Sequence, residues 1–319
     1  MKAAIYHAPG APSVLHYEDV PDPSMGKDQL LIRVEAISIE GGDLVNRRIT
    51  QPENPNVPLG YAAAGEIVEI GEAVQGFEVG QKVATFAFLG SHAEYRAVRA
   101  ATSWHVPDGL DMGIAAAVPC GPGTAALALQ MGRLQKGQTV LVQGAAGGVG
   151  IATVQLASKA GARVMGTGTN IDALERLRAF GLQDAIVVGD GSVPDQVLAL
   201  TQGKGVDLVI DNIGGPAVTE GLHACRPGGT VVLVGVLGGR EERIDPWYLL
   251  RQRKTLMGCL LGAVMDEPDV HALIAGLLQD AMTGALSVPI DRSFPLSEAA
   301  AAHAYAETRG RIGRVILRP

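Results

Sequence analysis

Gly144, Gly147 and Gly150 recur at every third residue within TVLVQGAAGGVGIATVQLASKAGARVMGTGTN, residues 139–170. A backbone that turns sharply and lies against a pyrophosphate needs positions without a Cβ. A helix that begins directly afterwards offers unpaired N–H groups and the positive end of its dipole to the phosphates. The chemistry indicated is dinucleotide binding, with Gly144, Gly147, Gly148, Val149 and Gly150 as contacts. A glycine string by itself also suits a structural turn or a non-nucleotide phosphate site, so the context carries the reading. Thr139–Gln143 reads as a short buried strand, residues 147–160 as a helix and residues 162–167 as a second strand. Where a site for the ribose 2′-OH would carry Asp or Glu, the second strand ends Gly166-Thr167-Gly168-Thr169-Asn170, with no acid. A 2′-phosphate meets no repulsion there, and Thr167, Thr169 and Asn170 have groups that can donate to it. NADPH is therefore expected over NADH.

The chain that must position these residues has 319 of them, 47% hydrophobic and 18% charged. That length allows one very large domain or two ordinary ones. A net charge of -7 without long single-sign runs argues against a nucleic-acid surface. Cys120, Cys225 and Cys259 are odd in number, far apart and without a CxxC pair, so neither a disulfide framework nor a structural zinc lobe is expected. The start MKAAIYHAPGAP has no apolar signal-peptide core, and no stretch reaches the roughly 20 apolar residues of a membrane span. A reducing cytoplasm is the expectation.

Residues 1–105 read as β-rich. KAAIYH, LLIRVEAIS, AAGEIVEIG, KVATFAF and AEYRAVRA alternate, with turns such as PDPSMG and QPENPNVPLG between them. From Asp111 the pattern becomes helical and then alternates. TVLVQG, ARVMGT, DAIVVG, VDLVIDNIGG, GTVVLVGVLGG and TLMGCLL are six apolar runs with helical segments or short connections between them. Right-handed crossovers and a parallel sheet covered on both faces follow. Beyond Pro268 come an amphipathic helix, a strand, a second helix with Ser297 as its cap, and the last strand GRVILRP. That last strand has no place in the parallel sheet and is expected to return to the N-terminal β region.

Taken in order, PLGYAAAGEIVEIGEAVQGFEVGQKV at 58–83, AAAVPCGPGTAALAL at 115–129, GAAGGVG at 144–150, VDLVIDNIGG, RPGGTVVLVG and GRIGRVIL resemble the medium-chain dehydrogenase/reductase superfamily, specifically its quinone oxidoreductase branch. The resemblance covers essentially the whole chain. It implies an α/β fold: a Rossmann doubly wound parallel sheet plus a GroES-like β-rich domain, with a cleft for nicotinamide and substrate. The expected division is 1–118 for the GroES-like domain, with 283–319 returning to it, and 119–282 for the Rossmann domain. The resemblance also assigns cofactor contacts to Thr124, Asn212, Gly235 and Arg314. Arg314 reads equally well as an exposed strand arginine. The family's phosphate-binding lysine and tyrosine are missing, their places taken by Ala173 or a neighbour and by Gly189. Arg176 or Arg178 offers a replacement charge, or is simply a solvated helix residue.

Zinc members of the superfamily place Cys, His and Cys at three catalytic positions, which correspond here to Glu40, Tyr61 and Cys120. A neutral tyrosine is a poor ligand, so no zinc is expected and Cys120 reads as a small buried hydrophobe. Without a Lewis acid the natural acceptors are already electron-poor, a quinone or an α,β-unsaturated carbonyl. Asp43 matches the aspartate of the branch's NxxD segment, whereas Glu40 replaces its asparagine. The catalytic candidates are Glu40, Asp43 and Tyr61, with Asn46, Trp247 and Tyr248 in the substrate pocket. Trp247 and Tyr248 read equally as a subunit contact. Glu40 is either a proton donor of raised pKa or a local cap within EGGD, and Tyr61 is the other donor. His92 reads as a loop or core residue. The expectation is a zinc-independent, NADPH-dependent reductase; the alternatives are an enoyl-thioester reductase and a non-catalytic NADPH-binding protein. A homodimer is implied through an edge strand near 254–261, with no nucleic-acid or membrane partner.

Overall fold

The computed structural model describes all residues from Met1 to Pro319. In chain order the elements are β1 (Lys2–Ile5), β2 (His16–Asp19), β3 (Gln29–Ser38), α1 (Gly41–Ile49), β4 (Ala62–Ile70), β5 (Lys82–Phe86), β6 (Tyr95–Arg99), β7 (Ser103–His105), α2 (Met112–Ala117) and α3 (Gly121–Met131). The alternating part follows: β8 (Thr139–Gln143), α4 (Gly148–Lys159), β9 (Arg163–Gly168), α5 (Ile171–Arg176), β10 (Asp184–Val187), α6 (Val193–Leu200), β11 (Val206–Asp211), α7 (Pro216–Ala224), β12 (Cys225–Leu233), α8 (Pro246–Gln252) and β13 (Thr255–Gly258). The chain closes with α9 (Pro268–Met282), β14 (Ile290–Pro295), α10 (Ala299–Ala306) and β15 (Arg314–Arg318). No helix is long and apolar enough to cross a membrane.

Two compact units result. The first holds Met1–Gly123, Leu261–Thr308 and Gly313–Pro319; the second holds Thr124–Leu260 and Arg309–Ile312. In the first, a sheet ordered β14-β15-β3-β4-β5-β7, with β6 also on β3, is built largely from antiparallel pairs. Its inward residues follow the two-residue period of a pleated strand: Leu30, Ile32 and Val34 of β3 meet Ile67 of β4 and Val98 of β6 in one core. Burial of each such side chain contributes about 1.5–3 kcal/mol. The last strand does return here. β15 pairs antiparallel with β3, Ile316 opposite Ser38, and also runs parallel to β14.

The second unit is a six-stranded sheet ordered β10-β9-β8-β11-β12-β13, every pair parallel. Its central strands are buried throughout, which is why VLV in β8 and LVI in β11 carry no polar alternation. Strand order reverses between β8 and β11, the place where open parallel sheets bind ligands.

Three details differ from the sequence reading. Residues 261–282, expected in the Rossmann domain, group with the first unit by their contacts. Trp104 Nε1 donates to the His271 carbonyl at 3.0 Å, the two rings stack at 4.9 Å, and His271 Nε2 bonds the Ser103 carbonyl at 2.9 Å, so α9 is tied to β7. Ser297 caps nothing: a short 3-10 turn over Leu296–Glu298 precedes α10, and no side-chain cap forms. Two short strands, β2 and β7, escape the pattern because three or four residues are too few to show a period.

Candidate active site

Within the first unit, Glu40 stands at the junction of β3 and α1. Asp43, in the first turn of α1, accepts a hydrogen bond from the Glu40 amide at 2.8 Å. Glu40 and Asp43 are 2% and 0% exposed. A guanidinium balances them. Arg314 of β15 is ion-paired with the Glu40 carboxylate and donates to Ser38 Oγ at 3.1 and 2.9 Å and to the Ile39 carbonyl at 2.7 Å. Burial pushes the Asp43 pKa up to about 8; the Glu40 charge adds to the rise, while the Glu40 and Tyr61 amides and Arg314 oppose it. Cys120 lies close enough to Glu40 for its thiol to be pushed well up, first by burial and then by that charge.

Tyr61 completes the group. Gly42 makes room for it, since a Cβ there would overlap the Tyr61 ring. Gly60 turns the chain at φ +110, where a Cβ would overlap Ser91 and His92. Asn46 Nδ2 donates to the Tyr61 hydroxyl at 3.0 Å. Edge-on contacts at 5.4–5.5 Å join the rings of Tyr61, Phe86 and Phe88. Beneath them the buried Arg96 donates to the carbonyls of Tyr61, Ala87 and Leu89 at 2.8, 3.1 and 2.9 Å and to Thr85 Oγ1 at 3.0 Å. One guanidinium therefore fixes both backbone segments that carry the aromatic rings. Burial lowers the Arg96 pKa and Asp43 raises it; a guanidinium stays charged through such shifts.

In the second unit, Gly144 leaves β8 at φ +70 and α4 starts at Gly148 with Gly147 as its N-cap. A Cβ on Gly150 would overlap the Gly144 carbonyl and come within 2.6 Å of the Ala145 oxygen, so helix and loop can close only over glycine. Gly147 meets nothing nearer than 3.4 Å, which leaves that side of the loop clear for a ligand. The Gly144 amide donates to Thr167 Oγ1 at 3.3 Å, and Asn212 Nδ2 donates to the Gln143 carbonyl at 2.9 Å. A Cβ on Gly235 would overlap the Asn212 carbonyl, so Gly235 is a close-approach glycine. Asn170 caps α5 through Oδ1, 2.8 Å from the Ala173 amide. The glycines, Thr167 and Asn212 thus share one end of the sheet, the end at which a dinucleotide fits.

Residues 148–276 match the family described as Zinc-binding dehydrogenase, and residues 26–108 match the Alcohol dehydrogenase GroES-like domain. The chain is 31% identical to a quinone oxidoreductase of Pseudomonas aeruginosa over 98% of each chain. It is 30% identical to a 2-haloacrylate reductase of a Burkholderia species, over 99% of this chain and 98% of the other. Among solved structures, a mycobacterial protein complexed with NADPH superposes with a TM-score of 0.94 at 28% identity, with 100% of both chains covered. The chain belongs to the medium-chain dehydrogenase/reductase superfamily, in its quinone oxidoreductase branch. It is an oxidoreductase.

For this oxidoreductase the zinc in the family's description meets an unsuitable donor set. At the three positions where zinc relatives hold the metal, the carboxylate of Glu40 is engaged by Arg314, and Tyr61, beside Cys120 in that set, offers only a neutral hydroxyl already bonded to Asn46. Catalytic zinc needs three available N, S or O ligands, and with the carboxylate ion-paired and the tyrosine neutral these residues do not fit it.

The structure places the other expected site residues as follows. Glu40, a catalytic candidate, is ion-paired with Arg314 and buried at the junction of β3 and α1. Arg314, expected to contact the cofactor, directs its donors to Ser38, Ile39 and Glu40. Tyr248 is half-buried, edge-on to His223 at 4.8 Å, with its hydroxyl 2.9 Å from Lys254 Nζ. Trp247, beside it on α8, is 67% exposed. Thr124 is buried on α3, and Thr169 is exposed at the end of β9. Arg178 is paired with Glu175 at 2.5 and 2.9 Å. His92 is a core residue: Nδ1 meets Ser91 Oγ and Nε2 meets His303 Nε2, each at 3.0 Å.

Sequence reasoning passed over Phe86, Phe88, Arg96 and Arg309. Arg96 had a signal, since in YRAVR it takes an inward position of the alternation together with Val98. Arg309 had one in the glycine-punctuated basic string TRGRIGR. The segment 309–312 groups with the second unit, and Gly310 lies against Asn170, where a Cβ would stand 3.1 Å from Nδ2.

Proposed function

We propose that this oxidoreductase uses NADPH, works without zinc, and reduces a quinone or an α,β-unsaturated carbonyl. The observation that carries the reading is the Glu40–Arg314 pair. With the carboxylate neutralised by a guanidinium in place of a metal, no Lewis acid is available to activate an alcohol, and an acceptor that is already electron-poor suits the site. The bound cofactor supplies the hydride. The chain supplies the rest. Tyr61, partly exposed and held by Asn46 and by the anchoring of its carbonyl on Arg96, donates the proton that completes two-electron reduction. Glu40 and Asp43, both buried, position α1 and thereby Asn46. The Tyr61, Phe86 and Phe88 rings offer an apolar face to a flat conjugated acceptor.

NADPH is favoured over NADH by the missing acid at the end of β9. The exposed Arg309, next in sequence to Gly310, where a Cβ would stand 3.1 Å from Asn170 Nδ2, supplies the cation that the family's missing lysine would have provided. Steady-state oxidation of NADPH and of NADH against a panel of quinones, enones and enoyl thioesters tests the assignment. Faster turnover with NADPH on quinones or enones is expected. A marked preference for enoyl thioesters, or no turnover with any acceptor, contradicts it.

The same reading includes a homodimer. β13 is the edge of the parallel sheet, and Leu250 and Leu260 beside it are 70% and 64% exposed. An unpaired edge flanked by apolar side chains favours pairing with a second copy. Leu260→Asp is expected to move the mass measured by light scattering from dimer to monomer; a wild-type chain that is already monomeric contradicts this. None of the three cysteines is paired, which fits a reducing compartment such as the cytoplasm.

A further inference from the structure

The point where strand order reverses ends in two polar side chains that each carry one oxygen without a hydrogen-bond donor. Gln143 and Asp211 close β8 and β11 and are register partners. Partners on adjacent parallel strands present their side chains to the same face, with the strands about 4.8 Å apart. That face is the one under α7, since Leu141 and Val209, the partners two residues earlier, pack with Val218 and Leu222 of α7. Gln143 and Asp211 are 2% and 0% exposed.

Gln143 Nε2 donates to the Ala217 carbonyl at 3.0 Å, and Oε1 is left without a donor. Asp211 Oδ1 accepts from the Ile213 and Gly214 amides at 2.8 and 3.0 Å, and Oδ2 is left without one. Two such oxygens side by side are unfavourable, more so if one is charged. A proton on Asp211 Oδ2 removes both defects, because the neutral acid has an O–H to give and Gln143 Oε1 can accept it.

The surroundings favour the neutral form. Burial raises the Asp211 pKa, and the Gly214 and Ile213 amides only partly offset it. The charged group acting from α7 is Glu220, itself an acid, pushed up by burial and then by Asp211. β12 brings Leu233 alongside.

We propose that Asp211 keeps its proton in the folded chain and donates it to Gln143 Oε1, forming a clamp across the switch point that positions Asn212 for the cofactor. Asn212 is hung from the same strand end, its Nδ2 on the Gln143 carbonyl, and the Asp211 carboxyl shapes the turn that follows it. The clamp is a property of the sheet; its bearing on the cofactor rests on the proposed function.

Asp211→Asn keeps Oδ1 for the two amides and puts an N–H where the O–H stands, whereas Asp211→Ala removes both. The experiment measures thermal unfolding of the full chain and NADPH affinity from about pH 5 to about pH 9. An acid whose folded pKa is raised loses stability as pH climbs from the ordinary carboxylate value through the folded one. The wild type is therefore expected to fall relative to Asp211→Asn as pH rises, levelling off once the folded acid itself ionises, because the groups common to both cancel in the difference. Asp211→Asn should keep wild-type NADPH affinity, and Asp211→Ala should lose about tenfold, the worth of one positioning hydrogen bond. Parallel pH curves for wild type and Asp211→Asn overturn the clamp. Asp211→Asn binding as weakly as Asp211→Ala overturns the positioning role. A wild-type chain that binds no NADPH while the stability difference persists overturns the cofactor half together with the proposed function.

Discussion

In the proposed reading Tyr61 is a partly exposed donor and the Glu40–Arg314 pair a buried frame. If Tyr61 delivers the proton, Tyr61→Phe keeps the ring contacts with Phe86 and Phe88 and loses only the hydroxyl; kcat should fall about 100-fold with little change in KM, the scale of general-acid catalysis. Unchanged kcat in steady-state assays removes Tyr61 from the mechanism. Glu40→Gln leaves the guanidinium of Arg314 buried without its counter-charge. Breaking a buried pair in this way costs about 3–5 kcal/mol, so the denaturant midpoint should drop markedly, and a variant as stable as wild type contradicts the frame role. At this scale the sequence was only partly informative. It brought Glu40, Asp43, Asn46, Tyr61, Trp247 and Tyr248 forward together; the fold joins the first four, while the last two lie on α8 of the second unit. What it hid was the partner of Glu40, because Arg314 lies 274 positions away on a strand whose arginine reads equally well as surface. Arg96 was hidden because its four acceptors include three main-chain carbonyls, which leave no mark on residue types.

Glycine loops and strand ends were the most legible elements. The spacing of Gly144, Gly147 and Gly150 reports backbone contacts that exist only in the folded chain, and the overlap that a Cβ on Gly150 would make is the physical content of that motif. The segment 309–312 shows the opposite case. Nothing in TRGRIGR says that it joins the second unit beside Asn170, since that placement comes from tertiary contacts and not from local preference. Arg309→Glu should weaken NADPH binding at least tenfold, while NADH, which lacks the 2′-phosphate, changes little; a removed charge pair of about 1.4 kcal/mol gives that factor. Equal losses for both cofactors, measured by titration, place Arg309 away from the phosphate. The His92–His303 contact joins the loop after β5 to α10 and has a consequence in acid. Burial lowers the His92 pKa to about 3, with Arg96 adding to the drop, and His303 goes well below its ordinary value. A depressed histidine pKa gives stability that is complete above the unfolded value near 6.5 and is lost as pH falls below it, by about 1.4 kcal/mol per pH unit for each residue. The denaturant midpoint of the wild type should therefore decline below about pH 6.5, and His303→Gln should decline less steeply. Equal slopes contradict the assignment of both as neutral core residues.

Over the whole molecule, the change from two-residue alternation to apolar runs near Asp111 predicted two architectures, and the structure has both. The boundary was less legible. Leu261–Met282 groups with the first unit through Trp104 and His271, an aromatic pair 167 residues apart that no local pattern announces. The claim on which the functional reading stands is that a guanidinium has taken the place of a metal. The measurement that tests it most directly is NADPH-dependent turnover of a quinone by protein dialysed against a chelator, with zinc content determined in the same sample. Turnover that persists in zinc-free protein and gains nothing from added zinc is the predicted result. Turnover that disappears with the metal and returns when zinc is restored contradicts the account.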